Sequence, residues 1–511
     1  MSAGERASAT LSNKDLAPTR PEERTWSAWH IAALWIGMSV CIPTYTLAAG
    51  MIAQGMAWWQ ATLTVFLGNA IVLIPMILNG HPGARHGVPF PVLMRASFGT
   101  RGANIPALAR ALVACGWFGI QAWIGGSAIY QVACALGWID LGAEGSRVTA
   151  LGVTPWQLVS FGAFWLVNLH FVWHGMGSIK WMESWAAPVL IGAGLALLGC
   201  AVAKTGLFGA LLGGGSRYPD GVTFWAVFVP QLTAMVGFWA TLSLNIPDFT
   251  RYARSQRAQV IGQAAGLPTT MTLFCFIGIA VTQGTIIVFG EAIWDPVVLI
   301  SRLGSTPVIV LSLVILSIAT LSTNIAANVV SPANDFSNLA PARISFRTGG
   351  MITAVIGVVM MPWYLVGNLG AYIFTWLIGY SALLGPIAGI MLCDYYVVRR
   401  TRLDVLGLYD PKGPYAYRNG FNPAALVAMV VAVLPNLPGF INAATNRTHA
   451  HAALDAKVVP IFPAFCDTLY GFAWFVGIAL GALVYGLLMR GPGRSESVTP
   501  NGSRRSLGPP A

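Results

Sequence analysis

Apolar runs separated by short basic or polar segments recur along almost the whole chain. They lie near residues 27–53, 57–79, 105–137, 156–175, 177–203, 222–247, 258–289, 307–331, 347–366, 368–395, 422–444 and 461–489. Each approaches the length, about twenty residues, at which a helix crosses a bilayer. The pattern predicts an all-α polytopic membrane protein of about twelve transmembrane helices.

Two of these runs are interrupted. The first reads WIGMSVCIPTYTLAAG, with Gly37 and Pro43 inside it; the sixth reads TAMVGFWATLSLNIPDFTRY, with Gly237 central and Pro247 near one end. Membrane helices tolerate Gly and Pro where neighbours satisfy the freed backbone, so either break alone says little. A pair of breaks five spans apart predicts an inverted five-plus-five repeat with binding sites where the helices unwind. On this reading residues 26–203 form the first repeat and 204–395 the second. Residues 396–490 add a loop and two further helices, and 1–25 and 491–511 are disordered polar tails.

Composition supports lipid as the solvent. Of 511 residues, 56% are hydrophobic and 9% charged, and the mean hydropathy is +0.66. The net charge of +11 raises the question of a polyanionic partner, which the placement of the charges answers. Of the 29 Lys and Arg residues, all but Arg147, Lys204, Arg217, Arg302, Arg447 and Lys457 fall on one side when the spans are threaded in order. The positive-inside rule makes that side cytoplasmic, puts both termini there and accounts for the charge without nucleic acid. Residues 1–25 carry no apolar leader core, so a multi-pass protein of the inner (plasma) membrane is expected. The seven cysteines lie in or beside apolar runs without a CxxC pair, which indicates neither disulfides nor a metal centre.

The acidic residues nearest the membrane, Glu183, Asp248, Asp335, Asp394 and Asp467, fall near span ends or in loops. A proton pump or organic-cation carrier would place a carboxylate centrally, so the pattern favours a neutral substrate. Inside the runs stand indoles and amides. Trp117 and Gln121 lie one turn apart on the third span, where a flat ring could stack on the indole and pair an amide edge with the carboxamide. Packing for the indole and an interhelical hydrogen bond for the amide are the competing readings. Trp239, two residues after Gly237, could form the opposite wall. Asn324 and Asn328 lie one turn apart on the eighth span, where a substrate amide or a neighbouring helix could be their partner. Ser322 and Thr323 precede them, and with freed carbonyls near Ser39 and Ile42 and that of Ala319 they could supply the neutral oxygens of a sodium-type site. Back-bonding to their own helix is the alternative for these hydroxyls.

Enzymatic signatures are lacking: there is no nucleophile–base pair, no HExxH and no paired central carboxylates. His170 and His174, one turn apart on the fourth span, have no third ligand and are expected to bond neighbouring helices or sit near the membrane edge. Asp248 and Arg251 are expected to form an ion pair or inner-gate contact.

The segments IGMSVCIPTY, GWFGIQAWIGG, FWATLSLNIPDFTRYARSQ, STNIAANVVSPANDFSNL, ISFRTGG and CDYYVVRR resemble the nucleobase:cation symporter-1 family of hydantoin, allantoin, uracil and cytosine permeases. The resemblance implies a leucine-transporter-like fold with two appended C-terminal helices and alternating access. It implies that Trp117, Gln121, Trp239 and Asn328 hold the substrate, to which the residue pattern adds Gly237 at the break and Asn324, and that Ser39, Ile42, Ala319, Ser322 and Thr323 surround a sodium ion in the sodium-coupled members. Proton-coupled members exist as well. Pro43 departs from the polar residue that some hydantoin-type members place there. A cation-coupled importer of a small neutral nucleobase or ureide is therefore expected, with Na+ or H+ as coupling ion and no cofactor; an uncoupled channel for small neutral solutes is the alternative.

Overall fold

The computed structural model describes residues 11–140, 149, 151–174, 176–206, 208–218, 221–303, 305–367, 371–445 and 461–490. The expected tail 491–511 lies outside the described residues. The described chain is helical, with only isolated bridges and no strand. Seven helices are long and apolar enough to cross a membrane, or nine when each of two bent pairs is taken as one span. The shorter apolar helices Thr223–Phe238 and Phe346–Val359, together with Pro155–His174, occupy the remaining three of the twelve predicted places.

The breaks fall beside the predicted residues rather than on them. The first span is Ala28–Ser39 followed by Ile42–Ala53, bent by 59°. Val40 (φ −83°, ψ 83°) and Cys41 (φ −147°, ψ 161°) leave the helical region. Pro43 does not break the helix. It sits in the first turn of the second half, where a missing N–H costs nothing, and Gly37 lies within the first half. The sixth span runs Gly221–Phe238, Ala240–Asn245 and Pro247–Thr250, interrupted at Trp239 rather than Gly237. Gly237 is small for a packing reason: a Cβ there would collide with Ser381 Oγ and approach the Leu377 carbonyl of the tenth span.

The spans sort into two packed groups. The first, second, sixth and seventh pack on one another, and the third packs on the fourth, eighth and ninth. Between the first and seventh spans, Gly262 and Gly266, four residues apart, let backbones approach, since a Cβ at Gly266 would lie 2.8 Å from Trp35 Cβ and 3.0 Å from Ala32 Cα. The tenth span packs on the twelfth, Phe465–Gly471 with Ala473–Met489.

One end of the bundle gathers the arginines Arg24, Arg85, Arg95 and Arg251, whose guanidinium groups all serve backbone or hydroxyl oxygens there. It is called the basic end below. Residues 11–25, expected within a disordered tail, instead pack across this end. Leu16 is fully buried, which is worth about 1.5–3 kcal/mol for a leucine. Its flanking backbone meets three different elements: Arg95 donates to the Leu11 carbonyl, Arg251 to Asp15 and Tyr409 to Leu16. Asn13 donates to Ser337 Oγ at 2.7 Å, and Trp26 pairs in parallel with Ala253. A polar composition signalled disorder because backbone carbonyls that find side-chain donors leave no trace in hydropathy.

Candidate substrate slot and cation site

At the first break, Ser39 ends one half-helix and Ile42 begins the next. The Ser39 hydroxyl is fully buried and has no hydrogen-bond partner. Ala319 of the eighth span, Thr306–Asn328, lies in the same apolar cluster as Val40 and Tyr45, which sets the eighth span against the first break. Ser322 and Thr323 are buried there too. Thr323 Oγ1 donates back to the Ala319 carbonyl at 3.2 Å, the alternative weighed for these hydroxyls. An orphaned hydroxyl, carbonyls freed at a break and further neutral oxygens make a donor set that suits a hard monovalent cation.

The sixth-span break turns adjacent rings in different directions. Phe238 ends the first half-helix and meets Trp117, with ring centroids 5.1 Å apart and planes at 69°. Trp239, at φ −102° and ψ 7°, turns to Trp35 at 5.2 Å and donates from Nε1 to Asn69 Oδ1 at 2.9 Å. Trp239 was expected as the wall opposite Trp117; the sixth-span ring that packs on Trp117 is Phe238, and Trp239 packs on Trp35. Two neighbouring aromatic positions at a break of unknown register cannot be told apart by spacing.

The third span, Asn104–Ala135, carries Trp117 and Gln121, 5% and 4% exposed. Around the Trp117 indole stand Tyr372, Trp376 and Tyr380 of the tenth span, with centroids at 6.1, 6.1 and 6.4 Å. The tenth span opens with a π-helical stretch over Ala371–Leu377 and continues as Ile378–Leu392. Such wider turns often mark functional segments. With Phe238 these rings close an aromatic box on Trp117. Gln121, one turn along the same helix, has its Oε1 buried without a donor.

The eighth-span amides form a chain. Asn324 Nδ2 donates to the Phe118 carbonyl at 3.2 Å and to Asn168 Oδ1 at 3.0 Å, and Asn328 Nδ2 donates to Asn324 Oδ1 at 3.0 Å. Asn324 is thus held by neighbouring helices, and Asn328 is fixed through it. Asn168 was missed by sequence reasoning, although an amide in the apolar run WLVNLHFVW was a usable signal. Tyr372, Trp376 and Tyr380 were missed for a different reason: aromatic residues in a membrane helix carry no mark of which face they take. His170 and His174 are exposed on the fourth span with rings 4.2 Å apart, and His174 Nδ1 contacts the His170 carbonyl.

At the end away from these arginines, an open cleft is lined by Pro43, Thr46, Trp123, Ser127, Trp294 and Asp295, among others. Tyr372 stands at its floor, and its hydroxyl donates to the Pro43 carbonyl at 3.4 Å. Asp295 caps the short helix Pro296–Leu303 by accepting from Val297 N–H at 2.8 Å. Burial pushes its carboxyl above the ordinary value, partly offset by the Val297 and Val298 N–H groups.

The basic end is closed by buried polar contacts. Arg110 and Asp335 pair at 3.2 Å with both side chains fully buried. With its amide oriented to suit its neighbours, Asn245 accepts from Arg110 at 3.2 Å and from Ser331 Oγ. The expected Asp248–Arg251 ion pair is replaced by other partners. Asp248 Oδ1 accepts from the Phe90 N–H at 2.7 Å, and Arg251 donates to the Asp15 carbonyl and Tyr252 hydroxyl.

Comparison with known proteins agrees with this fold. Residues 18–477 match the family profile described as permease for cytosine/purines, uracil, thiamine and allantoin. The chain is 45% identical to the purine-uracil permease of Arabidopsis thaliana over 96% of its own length and 79% of that protein's. It is 40% identical to the allantoin permease of Bacillus subtilis, covering 94% of this chain and 93% of that one. A solved nucleobase-cation-symport-1 family transporter, in a closed conformation with bromovinylhydantoin bound, superposes with a TM-score of 0.74 at 26% identity, covering 96% of this chain and 99% of that one. A Na+-coupled sialic acid symporter shares the fold at a TM-score of 0.60 and 12% identity, over 94% of each chain.

Proposed function

The chain belongs to the permease family for cytosine/purines, uracil, thiamine and allantoin and is a multi-pass membrane transporter; from that premise we propose that it imports a neutral nucleobase or ureide together with a cation. The observation that supports the substrate class is the set of aromatic rings gathered on Trp117, together with the buried, unpartnered Gln121 carbonyl one turn away on the same helix. A planar ring stacks on the indole, and an N–H of its amide edge satisfies Gln121 Oε1. Asn328 lies on the eighth span as a further amide for the substrate edge.

Na+ is the coupling ion on this reading, held by Ser39, Ser322 and Thr323 with the carbonyls of Ile42 and Ala319. The orphaned Ser39 hydroxyl supports it. Cation binding at the first break would stabilise the form whose slot opens to the far-end cleft, so that cation and substrate raise each other's affinity. The basic end faces the cytoplasm by the positive-inside rule, with the cleft outside and both termini within, in the plasma (inner) membrane.

Uptake of labelled allantoin, uracil, cytosine and hydantoin into proteoliposomes, with and without an inward sodium gradient, tests this. One compound should accumulate only with the gradient, and Gln121→Ala should abolish it. Accumulation driven by a pH gradient would retain the slot and remove the sodium site. Equilibration without accumulation would make the protein a facilitator.

A further inference from the structure

Three polar atoms around Trp117 are buried without a hydrogen-bond partner: Gln121 Oε1, Trp376 Nε1 and the Tyr380 hydroxyl. Their residues are 4%, 7% and 5% exposed. Gln121 stands on the third span one turn from Trp117. Trp376 and Tyr380 stand one turn apart on the tenth span, with ring centroids 5.1 Å from each other. The indole of Trp117 lies beside the Tyr380 hydroxyl, without a well-formed hydrogen bond. Tyr372, one turn toward the cleft, is different, because its hydroxyl is engaged by Pro43.

The chemistry of the three atoms is asymmetric. Gln121 Oε1 can only accept and Trp376 Nε1–H can only donate. The Tyr380 hydroxyl has a proton to give. A buried donor without an acceptor is unfavourable, so this pattern asks for a ligand that offers N–H toward the third span and a carbonyl toward the tenth.

We infer that Trp376 and Tyr380 read the carbonyl edge of the ring, so that the slot selects oxo rings over rings bearing an amino group at that edge. The inference rests on the transport reading above and sharpens it. Uracil and cytosine present the same flat ring, yet at one position uracil has a carbonyl and cytosine an amino group. An amino group facing the Trp376 N–H places two donors against each other and leaves both unmet. Hypoxanthine and adenine form a second pair with the same difference. Discrimination of this kind is large when a buried polar group is left unpaired.

The experiment measures competition by uracil, cytosine, hypoxanthine and adenine for uptake in proteoliposomes, in the wild type, Tyr380→Phe and Trp376→Phe. The radiolabelled probe is whichever of the four the wild type accumulates. The ratio within each oxo/amino pair is independent of how much protein has folded, so partial misfolding of a variant does not blur the result. The wild type should prefer the oxo member of a pair at least tenfold. Each variant should lose about five- to tenfold in affinity for the oxo ring and little for the amino ring, so the ratio collapses. Equal losses for both members would assign Trp376 and Tyr380 to packing, and a wild type that favours the amino ring would overturn the inference while leaving transport intact. Uptake of none of the four would remove the nucleobase reading, and the inference with it.

Discussion

The Arg110–Asp335 pair gives the sharpest energetic test of the architecture. Both side chains are fully buried and their charged atoms are 3.2 Å apart. At an effective dielectric constant near 20 the attraction is about 5 kcal/mol, which offsets the desolvation of two charges. Asp335→Asn leaves Arg110 buried and uncompensated, and Arg110→Met does the same to the carboxylate; each should cost about 3–5 kcal/mol. The double variant Arg110→Met with Asp335→Leu removes both charges. It should be no less stable than either single variant, because no uncompensated charge remains. Unfolding titrated with SDS in mixed micelles, followed by tryptophan fluorescence, reads all four proteins. Additive losses in the double variant, or single variants within about 1 kcal/mol of wild type, would refute the buried pair. Arg110 lies on the third span and Asp335 on the helix Val330–Leu339 that continues the eighth, and both belong to the same packed group, so the penalty should fall on stability and leave alternating access intact.

Asn245 bridges the two groups, from the sixth span to Ser331 and Arg110, so Asn245→Ala should instead favour opening of the basic end, read as faster labelling of a cysteine placed at the buried Ala333. Phe238→Ala should weaken substrate binding several-fold in equilibrium binding. Trp239→Phe should leave binding nearly unchanged but orphan Asn69 Oδ1 at a cost of about 1–3 kcal/mol; the opposite ranking would restore Trp239 to the slot. Ser39→Ala should raise the sodium concentration for half-maximal uptake several-fold while leaving substrate affinity at saturating sodium unchanged, and an unaltered sodium curve would exclude Ser39 as a ligand. Asp295 has its carboxyl raised above 3.8 by burial, so the native state binds more protons there than the unfolded chain. Its contribution is complete below pH 3.8 and is lost as pH rises through the raised value. Asp295→Asn should flatten that part of a melting-temperature profile, and an unchanged slope would show that the carboxyl is solvated.

Much of the architecture was legible before any coordinates. Membrane spans require apolar length, and length survives in one dimension, so the twelve runs anticipated where the helices begin within a few residues, although the second helix runs on to His86, past the expected residue 79. The existence of the two breaks was legible for the same reason, through Pro43 and Gly237, but their positions were not. A helix ends where its neighbours can take over its backbone groups, and at Val40–Cys41 and Trp239 those neighbours come from other spans. Trp117 and Gln121 could be paired because they share one helix and a fixed period.

Only the tertiary structure set Phe238 against Trp117 and Trp239 against Trp35, since a single residue of register at a break reverses which ring turns each way. It alone brought Tyr372, Trp376 and Tyr380 onto Trp117 and placed Asn168 behind Asn324. It also packed residues 11–25 against the basic end through carbonyl contacts that composition does not encode. The sequence by itself determined which stretches live in lipid and which end of the bundle carries the arginines, because both follow from the solvation of residues taken in order. Which polar atoms are left without partners, and so what ligand could complete them, depends on contacts between residues hundreds of positions apart, and those exist only in the folded bundle.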